Sequence, residues 1–238
     1  MIMDVLPART GGAAENMATD FMLLQRYPRA DAARYRHYGW RSPAFTFGYS
    51  QKVSFVRAQL PPGGIFDVCR RPTGGGIVDH RDDWTYCLVI PRGHPFEEAR
   101  ATLSYRAIHE ALAAALAAAG VPAALKPVAD AVPAGEPGGP AGVCFEKAEI
   151  FDVVHSGTGA KIAGGAQKRN RRGLLFQGSV WRPAAGAVDW ELFGGDFADR
   201  LAVALGADPA PCPWPEFGDG ELEGLTEQYS SPEWMEFR

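Results

Sequence analysis

Only four cysteines, Cys69, Cys87, Cys144 and Cys212, occur in 238 residues. None belongs to a C-x-x-C pair or lies within a few residues of a histidine, so zinc spacing is absent and no disulfide scaffold is indicated. Long apolar runs are missing too. The most apolar stretch, Ala111 to Leu125, is alanine-rich and interrupted by Gly120 and Pro122, which excludes a membrane span. The start, Met1-Ile2-Met3-Asp4, lacks the basic region and apolar run of a signal peptide. Neither sign of charge dominates: 24 basic and 28 acidic residues leave a net charge of −4, which gives no electrostatic reason to expect nucleic acid. There is no internal repeat. These absences describe a soluble cytoplasmic protein of a reducing compartment, with neither membrane nor nucleic acid as partner.

Hydrophobic residues make up 46% of the chain, enough at this length for a sizeable core without staples. The 28 glycines and 19 prolines predict substantial loops. Helical spacing of Ala14, Met17, Phe21 and Leu24 predicts a helix from Ala13 to Tyr27, ended by Pro28. Extended segments are predicted at Ala33–Tyr38, Ala44–Tyr49 and Ile65–Arg71, and a central strand at Trp84–Ile90. Ile108, Leu112 and Leu116 mark one face of a long helix from about Glu97 to Ala119, stopped by Gly120 and Pro122. Ala131–Gly142 reads as a loop. Strands follow at Ile150–Val154, Lys161–Ala163 and Leu174–Trp181, then a helix over Trp190–Leu205. Short connections between several strands favour an α+β fold over a doubly wound one. The expected organisation is a single domain over residues 1–238, with a Pro-rich extension from about 207 to 238 lying on the surface.

Three segments carry chemistry. In Arg70-Arg71-Pro72-Thr73-Gly74-Gly75-Gly76-Ile77-Val78-Asp79-His80, three consecutive glycines let backbone approach a ligand, and Arg71 offers a fork for an oxyanion. No Gly-Lys-Ser/Thr follows, so this is not a P-loop; a glycine-rich hairpin with solvated arginines is the competing reading. Cys144, beside Phe145, is a thiol suited to capturing an acyl group from a thioester, or else a buried inert cysteine. Lys161 opens Lys161-Ile162-Ala163-Gly164-Gly165-Ala166-Gln167-Lys168-Arg169, where it can polarise a carbonyl or else sit at the surface of a hairpin. Among the five histidines only His80 falls within such a segment, and no Ser/His/Asp set follows from spacing.

In order along the chain, Asn16–Asp20, Tyr38-Gly39-Trp40 with Pro43, Gly48-Tyr49-Ser50-Gln51, the triple-glycine segment, Thr85-Tyr86, Tyr105-Arg106, Cys144-Phe145 and the Lys161 segment together resemble the lipoate-protein ligase and octanoyltransferase family, relatives of the biotin-protein ligase catalytic domain. The likeness runs from about Asn16 to Trp181. It implies a central mixed, largely antiparallel sheet flanked by helices, with an acyl pocket beneath the triple glycine. It also implies a binding site formed by Arg71, Thr73, Gly74, Gly75, Gly76, Ile77, Val78, Asp79, His80, Gly164 and Ala166, with Lys161 at the acyl carbonyl.

The resemblance is closest to the cysteine-dependent octanoyltransferase branch. That branch implies transfer from octanoyl-acyl carrier protein through an acyl-Cys144, and onto a lysine of a lipoyl domain of a 2-oxoacid dehydrogenase or of the glycine cleavage H protein. No cofactor or metal is needed for that chemistry. The alternative branch, a ligase, implies ATP and Mg with free lipoate or octanoate as substrate. Two positions depart from the transferase pattern: Gln177 stands where Gln-His-Gly-Ser has histidine, and Ala148-Glu149 replaces Pro-Ser. These departures motivate a third reading, an idle homologue that only binds acyl chains or carrier proteins.

Overall fold

The computed structural model describes residues 1–128 and 147–237; Ala131–Gly142 and Cys144 lie outside them. In chain order the elements are β1 (Ile2–Val5), β2 (Arg9–Gly11), α1 (Ala13–Gln25), β3 (Ala33–Trp40), β4 (Ala44–Phe47), α2 (Val53–Gln59), β5 (Asp67–Arg70), β6 (Ile77–Asp79), β7 (Asp83–Pro91), α3 (Pro95–Glu98), α4 (Ala101–Ala118), β8 (Ala123–Leu125), β9 (Val153–His155), β10 (Lys161–Asn170), β11 (Gly173–Trp181), α5 (Arg182–Ala185), α6 (Trp190–Ala204), β12 (Asp208–Pro211), α7 (Glu221–Ser230) and α8 (Pro232–Glu236).

Most strands form one sheet in the order β12-β1-β3-β7-β11-β10-β9-β8, with β2 beside β3. Every pairing from β3 through to β8 is antiparallel, whereas β12, β1 and β2 join in parallel. The sheet is therefore mixed and largely antiparallel, the α+β arrangement expected. A second sheet, β5-β4-β6, lies apart from it. α4 and α6 cover one face of the large sheet around Trp84, Tyr86, Phe176, Phe193 and Phe197. α1 packs against Tyr38, Cys87, Val89 and Leu175 in a second cluster that includes Tyr229 of α7.

Four segments differ from the sequence reading. The helix expected over Glu97–Ala119 is interrupted before Ala101. The Arg169 guanidinium takes the carbonyls of Glu97, Ala99 and Phe96 at 2.9, 3.2 and 3.3 Å, groups an unbroken helix would keep for itself. The strand expected to stop at Ala163 runs on to Asn170, since its glycines pair in register with β11, Gly165 opposite Gly178. Of Ile65–Arg71 only Asp67–Arg70 is strand, and Ile65 is 96% exposed. Of Ile150–Val154 only the end is strand, because Phe151 adopts a left-handed φ of 66°.

The C-terminal residues contribute to both sheet and core. β12 pairs in parallel with β1, with Asp208 and Cys212 donating N–H groups to Met1 and Val5. Its prolines, 209 and 211, occupy the alternate positions of an edge strand, where a missing N–H faces away from the partner. No helix among the described residues is long and apolar enough to cross a membrane.

Phe197 is fully buried and meets the rings of Tyr35, Trp84, Tyr86 and Phe193. Phe197→Ala is expected to lower unfolding free energy by about 3–5 kcal/mol, read from urea denaturation.

Candidate active site

Alternation along strands decides which residues face the space between the two sheets. In β10 and β11, Gly164 pairs with Ser179 and Ala166 with Gln177; Ser179 pairs in turn with Thr85 of β7, and Thr85 with Tyr38 of β3. These residues line a cavity of about 460 Å³, counting the part open to solvent, together with Met17, Thr46, Arg71, Gly75, Val78, His80 and Lys161. Gly178 and Gly165 leave bare backbone in its floor. A side chain on either would collide with the ring of Tyr86 or Phe176, at 2.2 and 2.5 Å.

The roof is the loop between β5 and β6. Arg71 is buried beneath it and donates to the carbonyls of Gly74 and Gly76, both at 2.9 Å, and to Thr46 Oγ1 at 2.9 Å. Gly75 has φ +91°, and a Cβ on Gly48 would lie 1.9 Å from its carbonyl oxygen, so both positions exclude side chains. Arg71 thus engages the glycine loop's own oxygens.

Below Arg71 a chain of hydrogen bonds follows. Thr46 Oγ1 accepts from Arg71 and is hydrogen-bonded to His80 Nε2 at 2.7 Å. His80 Nδ1–H then donates to Asp83 Oδ2 at 2.7 Å. The same oxygen accepts from Thr85 Oγ1 at 2.7 Å and from Ser179 Oγ. With its ring stacked on Trp40 at 4.0 Å and both nitrogens engaged, His80 holds the roof to the sheet.

Lys161 lies at the other side of the cavity. Its ammonium is 2.7 Å from Asp152 Oδ2, with the two side chains 5% and 1% exposed, and it donates to the Lys147 carbonyl at 3.3 Å. Asp152 also accepts from the Tyr105 hydroxyl and from Glu149 N–H, the latter at 2.7 Å, while Gly165 N–H donates to Tyr105 at 3.0 Å. Gly164 makes room for this pair: a Cβ there would lie 2.8 Å from Lys161 Cε and 2.9 Å from its Nζ.

Of the residues singled out in the sequence, Arg71, Gly75, Val78, His80, Lys161, Gly164 and Ala166 border one cavity. Thr73 acts beside it by donating to Gln177 Oε1 at 2.7 Å. Ile77 belongs instead to the core of the small sheet, and Asp79 pairs with Arg81 at 2.6 Å. Gly74 and Gly76 contribute the carbonyls held by Arg71. Cys144 lies outside the described residues. Cys69 and Cys87 are buried, which pushes both thiols above their ordinary range and leaves them protonated. Sequence reasoning missed Asp152 and Asp83, each of which joins near partners to one remote one, Tyr105 and Ser179 respectively. The one local hint was Tyr105 and His109 on the apolar face of α4, polar groups that need partners. Among the described residues no three His, Cys, Asp or Glu side chains converge as metal ligands would.

The lipoyl protein ligase A/B catalytic domain model matches residues 12–182, which include every residue of this cavity. The chain belongs to that family. It is 33% identical over 172 residues to octanoyltransferase LipM of Symbiobacterium thermophilum, covering 70% of this chain and 60% of that protein. Against octanoyltransferase LipM of Kyrpidia tusciae it is 32% identical over 178 residues, covering 71% and 62%. The chain thus spans less than two thirds of the length of these relatives. A bi-partite lipoate protein ligase from Thermoplasma acidophilum, solved in work on that ligase and its E2 lipoyl domain, shares the fold with a TM-score of 0.70 at 18% identity, over 98% of this chain and 96% of that one. In this lipoyl protein ligase A/B domain, α6, β12, α7 and α8 lie beyond the matched residues.

His109 buttresses the Asp152 side of the domain by donating Nδ1–H to the Phe151 carbonyl at 2.7 Å. Full burial lowers its pKa from 6.5 to about 4. The unfolded chain therefore binds a proton that the folded chain refuses, and the stability associated with neutral His109 is lost as pH falls from 6.5 towards 4. Between pH 7.5 and 4.5 this residue is expected to remove about 2–3 kcal/mol. Urea titrations at the two pH values should show that loss reduced in His109→Gln.

Proposed function

We propose that the protein is an acyltransferase that moves an octanoyl or lipoyl group from a thioester donor to a lysine of a lipoyl carrier domain. The observation that carries this reading is the buried Lys161 ammonium in the cavity wall, tied to the carbonyl of Lys147. Lys147 follows Cys144 by three residues, a length of chain that spans at most about 11 Å, so connectivity permits the thiol proposed as nucleophile to approach that ammonium. The names of the relatives in Symbiobacterium thermophilum and Kyrpidia tusciae support the octanoyl group.

In this scheme Cys144 attacks the thioester carbonyl as a thiolate. A carbon–sulfur bond forms to Cys144, and the carrier's thiolate leaves after the tetrahedral oxyanion collapses. Two of the three ammonium hydrogens of Lys161 are directed at Asp152 and Lys147; the third is assigned to the acyl oxygen, where charge develops. The amine of a lipoyl-domain lysine then attacks the acyl-cysteine. An amide forms, the Cys144 thiolate is released and the amine's extra proton is lost to solvent. Neither step calls for a metal or nucleotide.

Incubation with octanoyl-acyl carrier protein should produce an octanoyl adduct on Cys144 by intact mass, absent in Cys144→Ala, and the adduct should discharge onto a lipoyl domain. Lipoate-dependent ATP–pyrophosphate exchange, together with full activity in Cys144→Ala, would replace this scheme with the ligase reading. Binding of acyl chains without modification of any lipoyl domain would favour the idle homologue.

Removing Lys161 itself is an ambiguous test, because it strands Asp152 as a buried unpaired charge. Gly164→Ala is cleaner, since the new methyl displaces the ammonium and keeps the ion pair's chemistry. It should reduce turnover about 100-fold, the scale of a 1 Å misplacement, as measured by lipoyl-domain octanoylation at saturating donor.

A further inference from the structure

The first arginine of the triple-glycine segment, Arg70, does not face the cavity. It is completely buried at the end of β5, and its guanidinium is surrounded by backbone oxygens. NH1 donates to the carbonyls of Tyr49 and Gln51, both at 2.7 Å. Nε donates to Trp234 at 3.0 Å and NH2 to Met235 at 2.7 Å, both carbonyls near the C-terminal end of α8. The contact is reciprocal, since Trp234 Nε1–H donates to the Arg70 carbonyl at 3.0 Å. A planar fork suits this task, because several carbonyls at fixed angles can be held by one rigid group.

Tyr49 connects the same contact to the roof. Its ring packs against Trp234 and Phe237, at 5.9 and 4.9 Å between centroids. Its carbonyl accepts from Arg70, while its N–H donates to the Thr73 carbonyl at 2.8 Å. Thr73 begins the glycine run, and the next residue after Arg70 is Arg71, which holds Gly74 and Gly76 from beneath. α8 is itself braced, with Trp234 stacked on Tyr229 of α7 at 4.5 Å and 2° between ring planes. α7 and α8 fall outside residues 12–182, where the family match ends.

We infer that the C-terminal segment formed by α7 and α8 is a positioning element of the acyl site: through Arg70 and Tyr49 it sets the glycine roof over the cavity. Arg70 and Trp234 are positioning residues that act on acyl binding and touch no reacting atom. The inference rests on the acyl-pocket reading above for what the roof covers. The coupling of segment to roof is independent of the chemistry performed there.

Two proteins test it: a chain ending at Ser230, and full-length Trp234→Leu, which releases the latch without shortening the chain should the first fail to fold. Hydrogen exchange and octanoate binding are followed in each. Amide exchange over residues 73–76 should accelerate about tenfold as the roof gains local opening. Affinity for octanoate should fall about fivefold, with KM for the acyl donor rising in parallel and kcat at saturation within about twofold of wild type. Unchanged exchange over 73–76 in either folded protein overturns the inference. So does a fall in kcat at constant KM, which reports a loss of folded enzyme instead. Should wild type prove to be no transferase, the exchange measurement still decides whether segment and roof are coupled.

Discussion

A lysine ammonium buried in a cavity wall persists only where an anion and acceptor oxygens replace the water it has lost. Asp152 and the Lys147 carbonyl supply these for Lys161, and the position of the whole Lys147–Asp152 segment follows from that demand. Asp152 in turn requires Tyr105 and the Glu149 N–H, and Tyr105 requires the backbone of Gly165. α4, the β9 end of the sheet and β10 are therefore locked around a single charge. Such a pair contributes little net stability over an apolar filling, but its geometry is narrowly specified, since losing either partner costs about 3–5 kcal/mol.

The opposite wall follows the same logic through a longer chain, from a guanidinium to a carboxylate. Arg71, Thr46, His80 and Asp83 form one continuous hydrogen-bonded chain. The chain joins the small sheet to the large one across a cavity that would otherwise separate them. It also accounts for the glycines of the roof: Arg71 can reach the carbonyls of Gly74 and Gly76 only if the loop curls through a positive φ at Gly75. An arginine read from sequence as a ligand-binding fork thus holds backbone carbonyls of its own loop.

What the sequence made legible was local. Continuous β-prone runs at β7 and β11, the four-residue spacing of Ile108, Leu112 and Leu116, and the ordered motif segments all carry their signal within a short window. The features that escaped depend on partners far along the chain. β12 reads as a proline-rich tail until β1, some 200 residues away, gives it an edge to join. The break before α4 is invisible without Arg169, and α7 is too acidic to show an apolar stripe though Tyr229 anchors it. Asp152 and Asp83 were overlooked because carboxylates are ordinarily exposed, and a histidine three residues before Asp83 or a lysine nine residues after Asp152 does not by itself announce a buried pair.

Gln177 illustrates how a departure from a family pattern can preserve the physics behind it. A neutral histidine offers one ring acceptor and one ring donor, and a glutamine amide offers the same pair. Here Oε1 accepts from Thr73 of the roof, and Nε2 donates to Asp20 Oδ2 at 2.7 Å. Asp20 is shared with Arg36 at 2.6 Å and with the Tyr38 hydroxyl at 2.9 Å. The amide therefore bridges roof, sheet and α1, and it stays neutral at every pH. Proton transfer is the one property it cannot supply. A reaction that begins from a thiolate and a thioester does not need it at this position, because thiolate leaving groups depart without a proton. A glutamine at this position thus keeps the clamp and supplies no base.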